Sequence, residues 1–432
     1  MCIVTDKRPV GRVSVQDGMS RLVLLLGILL LTCLNSAFAQ APQNENNSAP
    51  AIELGPPDYS KISRSLSEVN LPTEQPQVLW KYNSDVSLTN AIVANGVVYF
   101  GDDKGRIVAL RASDGGLVWK HEHDARTVTS PSVDKDQLYF SSDKGVTALR
   151  RELGTLVWHH AIELGAGECN PLPIGDRVFV SGYDGNAYAL DRNTGATIWQ
   201  AELISDAPPD QPGFSGVRAR FQKIVARPRG AASDGKILVQ GVFDQSRVVA
   251  LDCAGGKRLW TFQTGGWIGD LPTIVGTKVY VSSQDKILYC LDRDSGRQLW
   301  KFETHSWLST SAAVFNDVVF LTHHGGRLYQ IAAKSGEQVK FFEPDDEGER
   351  DGLAGSSPLI ANETAYFASW KGLFYAVDIS TGKLRWKLQP SNGSHVSTGH
   401  STDGRRIFVT CHKTLEKTGE YAVIAIGKKG LK

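Results

Sequence analysis

The stretch ALDRNTGATIW, residues 189–199, decides how the chain is read, because near-copies of it keep returning. VALDCAGGKRLW ends at Trp260, CLDRDSGRQLW at Trp300 and AVDISTGKLRW at Trp386; earlier, ALRASDGGLVW and ALRRELGTLVW end at Trp119 and Trp158. Aligned on that last residue, the units fall at Trp80, Trp119, Trp158, Trp199, Trp260, Trp300, Lys340 and Trp386, with spacings of 39, 39, 41, 61, 40, 40 and 46. Lys340 holds the aromatic position of its unit because GEQVKFFE aligns with GRQLWKFE. Self-similarity at this period is the mark of a repeat architecture.

One unit reads as four short strands. After Trp80 an apolar stretch at 91–94 meets the turn Asn95-Gly96, then come VVYFG, the turn DDKG, RIVALR, the turn ASDG and GLVWK. Asn-Gly supplies the paired positive φ of a type I′ hairpin. Gly105, Gly115, Gly195 and Gly382 stand where a left-handed residue closes a longer turn, and Asp191 is placed to cap its turn through backbone N–H groups. VVYF, RVFV and KVYV are apolar at both parities, so both faces of each sheet are covered. Four-stranded antiparallel sheets covered on both faces and repeated eight times describe an all-β, eight-bladed β-propeller. The last unit ends in YAVIAIG with no fourth strand after it, and QVLWKY at 77–82 is left over at the start. Pairing the two closes the ring and removes a free edge.

The first residues are of another kind. Lys7, Arg8, Arg12 and Arg21 precede the apolar run 22–34, and Ala37-Phe38-Ala39 gives a small-x-small cleavage pattern, so residues 1–39 read as a secretory signal peptide. Met19 offers an alternative start. Cys33 invites a lipid-anchor reading, but Thr32 replaces the small residue expected before it. Residues 40–77 are rich in Pro, Asn, Ser and Glu and read as a tether, with the propeller at 78–432. Removing 1–39 takes away four basic and two acidic groups, so the formal charge of +1 becomes −1 and no field draws the ring to nucleic acid. The remaining cysteines, Cys169, Cys253, Cys290 and Cys411, form no adjacent pair and no zinc spacing.

The pattern A-x-D-x-x-T-G-x-x-x-W, met in full at 189–199 and 376–386, resembles the tryptophan-docking repeat of the pyrroloquinoline-quinone (PQQ) propeller superfamily. The resemblance implies that Trp80, Trp119, Trp158, Trp199, Trp260, Trp300 and Trp386 dock near turn glycines, with Gly115, Gly154, Gly195, Gly256, Gly296 and Gly382 in that role. It also implies two branches: quinoprotein dehydrogenases holding PQQ and calcium at the channel mouth, and non-enzymatic propellers such as the BamB outer-membrane assembly factors.

In such a propeller the mouth positions fall roughly seven to twelve residues after each docking Trp, which points to Arg126, Glu168, Asn170 and Asp270, with His305 five residues after Trp300. Glu168, Asn170 and Asp270 are the oxygen ligands a calcium ion takes. The adjacent cysteine pair carried by the alcohol-oxidising quinoproteins is missing from this sequence, so the expectation is no enzyme and no bound cofactor, with PQQ and calcium kept for the alternative. Trp267 and Trp307 each follow a docking Trp by seven residues, and either fill blade seams or anchor a partner. The long 61-residue unit carries Arg218, Arg220, Arg227 and Arg229 with Lys223 and no acid between Asp210 and Asp234, a docking loop for an acidic surface. Together with the resemblance to the BamB branch, these residues lead to the expectation of an exported, monomeric scaffold of the periplasm or cell envelope that binds envelope proteins or peptides. A quinoprotein dehydrogenase and a polysaccharide-binding propeller are the alternatives.

Overall fold

The computed structural model describes residues 70–126, 129–166, 169–203, 228–323, 326–344, 355–369, 372–413 and 419–430. Eight four-stranded antiparallel sheets follow one another, seven of them in plain chain order from the innermost strand outward. Blades one to seven span 92–122, 132–161, 172–202, 228–263, 273–303, 313–342 and 359–388. In blade eight the strands Ser394–Thr402, Arg406–Lys413 and Tyr421–Gly427 are completed by Gln77–Ser84, which pairs antiparallel with Tyr421–Gly427. The leftover N-terminal strand therefore closes the ring as its sequence predicts. Among the described residues no helix is long and apolar enough to cross a membrane.

The turns obey their chemistry. Asn95 and Gly96 both have positive φ (49° and 71°), and the same hairpin position is held by Asn316-Asp317 and Asn362-Glu363, also at positive φ. The Asp191 carboxylate accepts from the N–H groups of Asn193 (3.0 Å) and Thr194 (2.8 Å). Second and third strands are buried on both faces, as in Val97–Gly101 and Arg106–Arg111, so the core is a set of clusters sandwiched between neighbouring blades.

The docking Trp fastens each blade to the next. In every hairpin between third and fourth strands the register shifts at the residue opposite the Trp position, for example between Ala189 and Leu190 opposite Trp199. That bulge re-aims the Trp. The small residue opposite, Ala109, Ala148, Ala189, Ala250, Cys290 or Ala376, leaves room for the indole. Cys290 is fully buried there and packs where the other blades have Ala. Trp80, Trp119, Trp158, Trp199 and Trp260 lie against Gly115, Gly154, Gly195, Gly256 and Gly296 of the next blade, where a Cβ would approach the ring to 2.9, 2.6, 2.7, 2.7 and 2.6 Å. Their indole N–H groups donate to Ala112, Arg151, Arg192, Cys253 and Arg293 carbonyls at 2.7–2.9 Å.

Two expectations need correction. No Trp reaches Gly382; its Cβ position meets only the Phe341 carbonyl, at 3.9 Å, while Gly336, absent from the expected set, receives Trp300. The reason is Lys340, and its partner has changed with it. Gln330 stands opposite, where the other blades have Ala or Cys, and its Nε2 donates at 3.0 Å to the Ile379 carbonyl, the acceptor an indole would otherwise use. The Lys340 ammonium bonds the next carbonyl, of Ser380. The second correction concerns the tether expected over 40–77. Residues 70–77 belong to the folded ring instead, because Leu71 is fully buried in the core shared by blades seven and eight and the first strand begins at Gln77, while the expected signal peptide and the rest of the tether, residues 1–69, lie outside the described residues.

Candidate functional site

Antiparallel order puts two kinds of loop on each face of the ring. One face carries the connections from each outer strand to the next inner strand, together with the turns between second and third strands. The other carries the first hairpin turns and the docking turns. Of the expected mouth residues, Arg126, Asn170, Asp270 and His305 belong to the first face, which also receives both ends of the basic segment, at Leu203 and Pro228, and of the acidic one, at Pro344 and Gly355.

On this face the expected residues separate. Arg126 is exposed at the rim, where its guanidinium pairs with Asp103 at 3.4 Å and its N–H donates to Asp143. Burial lifts the Asp103 carboxyl above the usual range, and Arg126 partly offsets this. Asn170 is half-buried, and its Oδ1 is enclosed without a hydrogen-bond donor. Asp270 does not open to the mouth. It is 3% exposed, and its Oδ2 accepts from the hydroxyls of Ser311 (2.9 Å) and Ser357 (3.3 Å), which tie blade five to blades six and seven around the channel wall. Ser357 Oγ in turn accepts from the Ser311 N–H at 2.9 Å. His305 is exposed. Glu168, Arg218, Arg220 and Arg227 lie outside the described residues, and of Arg229 only the backbone is described, in the strand Pro228–Ser233. Among the described residues no group of three or more His, Cys, Asp or Glu is placed to hold a metal ion.

Trp267 and Trp307 share a loop but not an environment. Thr264 Oγ1 donates to the carbonyls of Ser246 and Gly266, and Thr304 Oγ1 to those of Lys286 and Ser306, so each Trp follows the same hydroxyl-braced turn. Trp267 then packs on Phe243, with ring centroids 4.5 Å apart, and is half-buried. Forty residues on, the position of Phe243 is Ser283, and Trp307 is 49% exposed. The seam-filling reading holds for Trp267; Trp307 stands out on the rim.

A second surface comes from the docking bulges. At five of the seven bulges the residue before the docking position turns outward, so Val118, Ile198, Leu259, Leu299 and, ahead of Lys340, Val339 are 43, 43, 44, 38 and 51% exposed. They form an aliphatic belt around the perimeter, on outer strands that are the edges of their sheets. The sequence carries the signal as the aliphatic residue ahead of seven of the eight docking positions, Arg385 being the exception, but an exposed aliphatic by itself marks nothing. Nothing in the repeat pattern marks the histidines of blade eight either. His395, His400 and His412 are all buried, the rings of His395 and His412 stack at 5.4 Å, and burial pushes His395 and His400 down to about 4 and His412 to about 3.

Known proteins agree on the architecture. A family model described as "Outer membrane protein assembly factor BamB" matches residues 67–229 and 184–426. The outer membrane protein assembly factor BamB of Yersinia pestis is 26% identical over 204 residues, which is 43% of this chain and 46% of that protein, so the match spans about half the relative's length. Among solved structures, BamB from Moraxella catarrhalis superposes with a TM-score of 0.64 at 17% identity, covering 82% of this chain and 98% of that one. A quinohemoprotein alcohol dehydrogenase from Pseudomonas putida HK5 superposes with a TM-score of 0.62 at 15% identity, covering 83% and 77%. The two solved structures share the ring and differ in what their names say they do, so the fold alone does not choose between them. The family match runs through all eight blades, and on that ground the chain belongs to the family of the outer membrane protein assembly factor BamB.

Proposed function

We propose that this chain is a non-enzymatic scaffold of the bacterial cell envelope, which holds envelope proteins or peptides during outer-membrane protein assembly. The observation that carries the reading is the perimeter belt: five exposed aliphatic residues on outer strands at the edges of their sheets, together with Trp307 on the rim. A partner strand adds to such an edge through main-chain hydrogen bonds, and the belt residues supply side-chain contacts at alternate positions. The signal peptide at 1–39 takes the chain to the periplasm, where these partners are met. The basic segment with Arg218, Arg220, Arg227 and Arg229 adds a cationic contact for an acidic partner surface.

Site-directed photo-crosslinking in cells tests this. A crosslinker at Val118, Leu259 or Trp307 yields discrete adducts with outer-membrane assembly components; adducts absent from all three positions, with the protein folded and exported, sink the scaffold reading. The quinoprotein alternative draws on Asn170 Oδ1, enclosed without a donor, and on the Asp270 carboxylate in the channel wall. Both are oxygens of the type that binds calcium. PQQ and calcium binding is the outcome that would favour it.

A further inference from the structure

The indole N–H groups of Trp80, Trp119, Trp158, Trp199, Trp260 and Trp300 end on carbonyls of the next blade's own docking turn. Trp386 instead donates to Pro72, at 2.9 Å. Blade eight cannot supply the turn, because its third and fourth strands come from opposite ends of the chain. Residues 70–76 take its place as a strap across the seam. The Pro72 carbonyl accepts a second bond from the Tyr366 hydroxyl (3.1 Å), the Asn70 N–H donates to Gly404 (2.7 Å), and Gln75 Nε2 donates to Lys387 (3.1 Å). Leu71 is fully buried with Leu359, Tyr366, Trp386, Val396 and Ile407.

We propose that the seam between blades seven and eight is a peptide-binding site, occupied in cis by residues 70–76, for an extended segment in which an aliphatic residue precedes proline. The recognition elements are an aliphatic pocket for the Leu71 side chain and a pair of donors, Trp386 Nε1 and Tyr366 Oη, that converge on one carbonyl. Proline suits the second position because it has no N–H to leave unpaired and its fixed φ keeps the segment extended. Elsewhere the fastening carbonyl belongs to a hairpin turn and cannot leave without breaking two strands. Here it belongs to a strap that, among the described residues, continues into the ring through the strand that begins at Gln77. The seam can therefore exchange its occupant while the blades stay folded, and a partner segment of the same chemistry can replace the strap. This inference stands on the seam and is independent of the scaffold reading, since its assay reports on the seam alone.

The test uses the mature full chain and a fluorescein-labelled peptide of residues 68–76, EVNLPTEQP, followed by fluorescence anisotropy. A strap that is closed most of the time weakens the apparent affinity for a competitor by the fraction of open molecules. The Leu71→Ser variant should therefore bind the peptide at least about tenfold more tightly than the wild type, corresponding to about one open molecule in ten. Adding Trp386→Phe, which keeps an aromatic ring and removes the N–H, should abolish the gain, and a peptide with Ser in place of Leu should bind neither protein. Equal binding to wild type and Leu71→Ser, or no binding to a Leu71→Ser protein with a wild-type circular dichroism spectrum, overturns the proposal. Should Leu71→Ser not fold, native-state hydrogen exchange on the wild type decides. The Asn70 amide and Trp386 indole should exchange at least tenfold faster than the blade-eight ladder amides at Val423 and Ile424; exchange together with those amides overturns it.

Discussion

Gly195→Ala and Gly382→Ala make a matched pair that isolates the docking contact. Both glycines sit at the same place in the repeat with nearly the same backbone, φ 71° and 72°. Alanine therefore pays the same left-handed strain at each, about 1–2 kcal/mol. The surroundings differ. A Cβ on Gly195 would lie 2.7 Å from Cδ2 and Cε3 of the Trp158 indole, whereas on Gly382 it meets only the Phe341 carbonyl at 3.9 Å. Pushing the indole off its glycine is an overpacking cost of about 1–3 kcal/mol. Gly382→Ala should thus lose about 1–2 kcal/mol and Gly195→Ala about 2–5 kcal/mol by the sum of the two terms. Guanidinium unfolding followed by tryptophan fluorescence reads the difference as a shift in midpoint at unchanged slope. The reasoning extends to a gain of function: Lys340→Trp with Gln330→Ala rebuilds the missing fastener over Gly382, and in that background Gly382→Ala should become as costly as Gly195→Ala. Equal losses at the two glycines in the natural protein would refute the account of the docking motif, and so would a rebuilt fastener that leaves the cost of Gly382→Ala unchanged.

Two further outcomes follow from particular side chains. The histidine-rich blade eight sets a pH dependence: His395, His400 and His412 are held neutral in the folded protein by burial, at about 4, 4 and 3, against about 6.5 when unfolded. The unfolded chain thus binds more protons below pH 6.5, so stability falls as pH drops from 6.5 towards 4. His400→Phe, which keeps the edge-on packing against Phe374, should lose about 2 kcal/mol less than wild type between pH 7 and pH 5 in urea unfolding; an unaltered pH profile would contradict this. At the rim, Trp307→Ala should leave the unfolding midpoint within about 0.5 kcal/mol of wild type, as surface changes do, while Trp267→Ala should cost about 1–3 kcal/mol through its lost contact with Phe243. Thermal or urea melts of the two variants side by side check the order, and its reversal would show that the two environments have been misread.

The architecture was legible because its determinants are local and repeated. The bulged Trp, the small residue opposite and the left-handed glycine lie within one hairpin, so spacing shows the repeat and the closing strand, while the docking role of Trp and Gly comes from the family resemblance and fails at Gly382. Lys340 was visible as an exception, but its compensation was not: Gln330 looks like any polar residue until the register sets it across from Lys340. The difference between Trp267 and Trp307 was hidden for a similar reason. Both sit in the same Thr-braced loop, and what separates them is Phe243 against Ser283, residues of a turn on the preceding hairpin. Asp270 looked like a mouth ligand because its distance from Trp260 is right, yet its burial depends on Ser311 and Ser357, from the next two blades. Leu71 was lost in a polar stretch whose composition suggests a tether, since the groove that receives it exists only where the ring closes.

The central claim, a scaffold rather than a quinoprotein, is tested most directly by a thermal-shift titration of the mature protein with PQQ and calcium, together and separately. A ligand at a hundred times its dissociation constant stabilises the folded state by about 2.7 kcal/mol, a shift well within reach of the method. The account predicts no joint shift, in wild type and in Asp270→Asn alike. A clear shift that requires both PQQ and calcium and disappears in Asp270→Asn would contradict it.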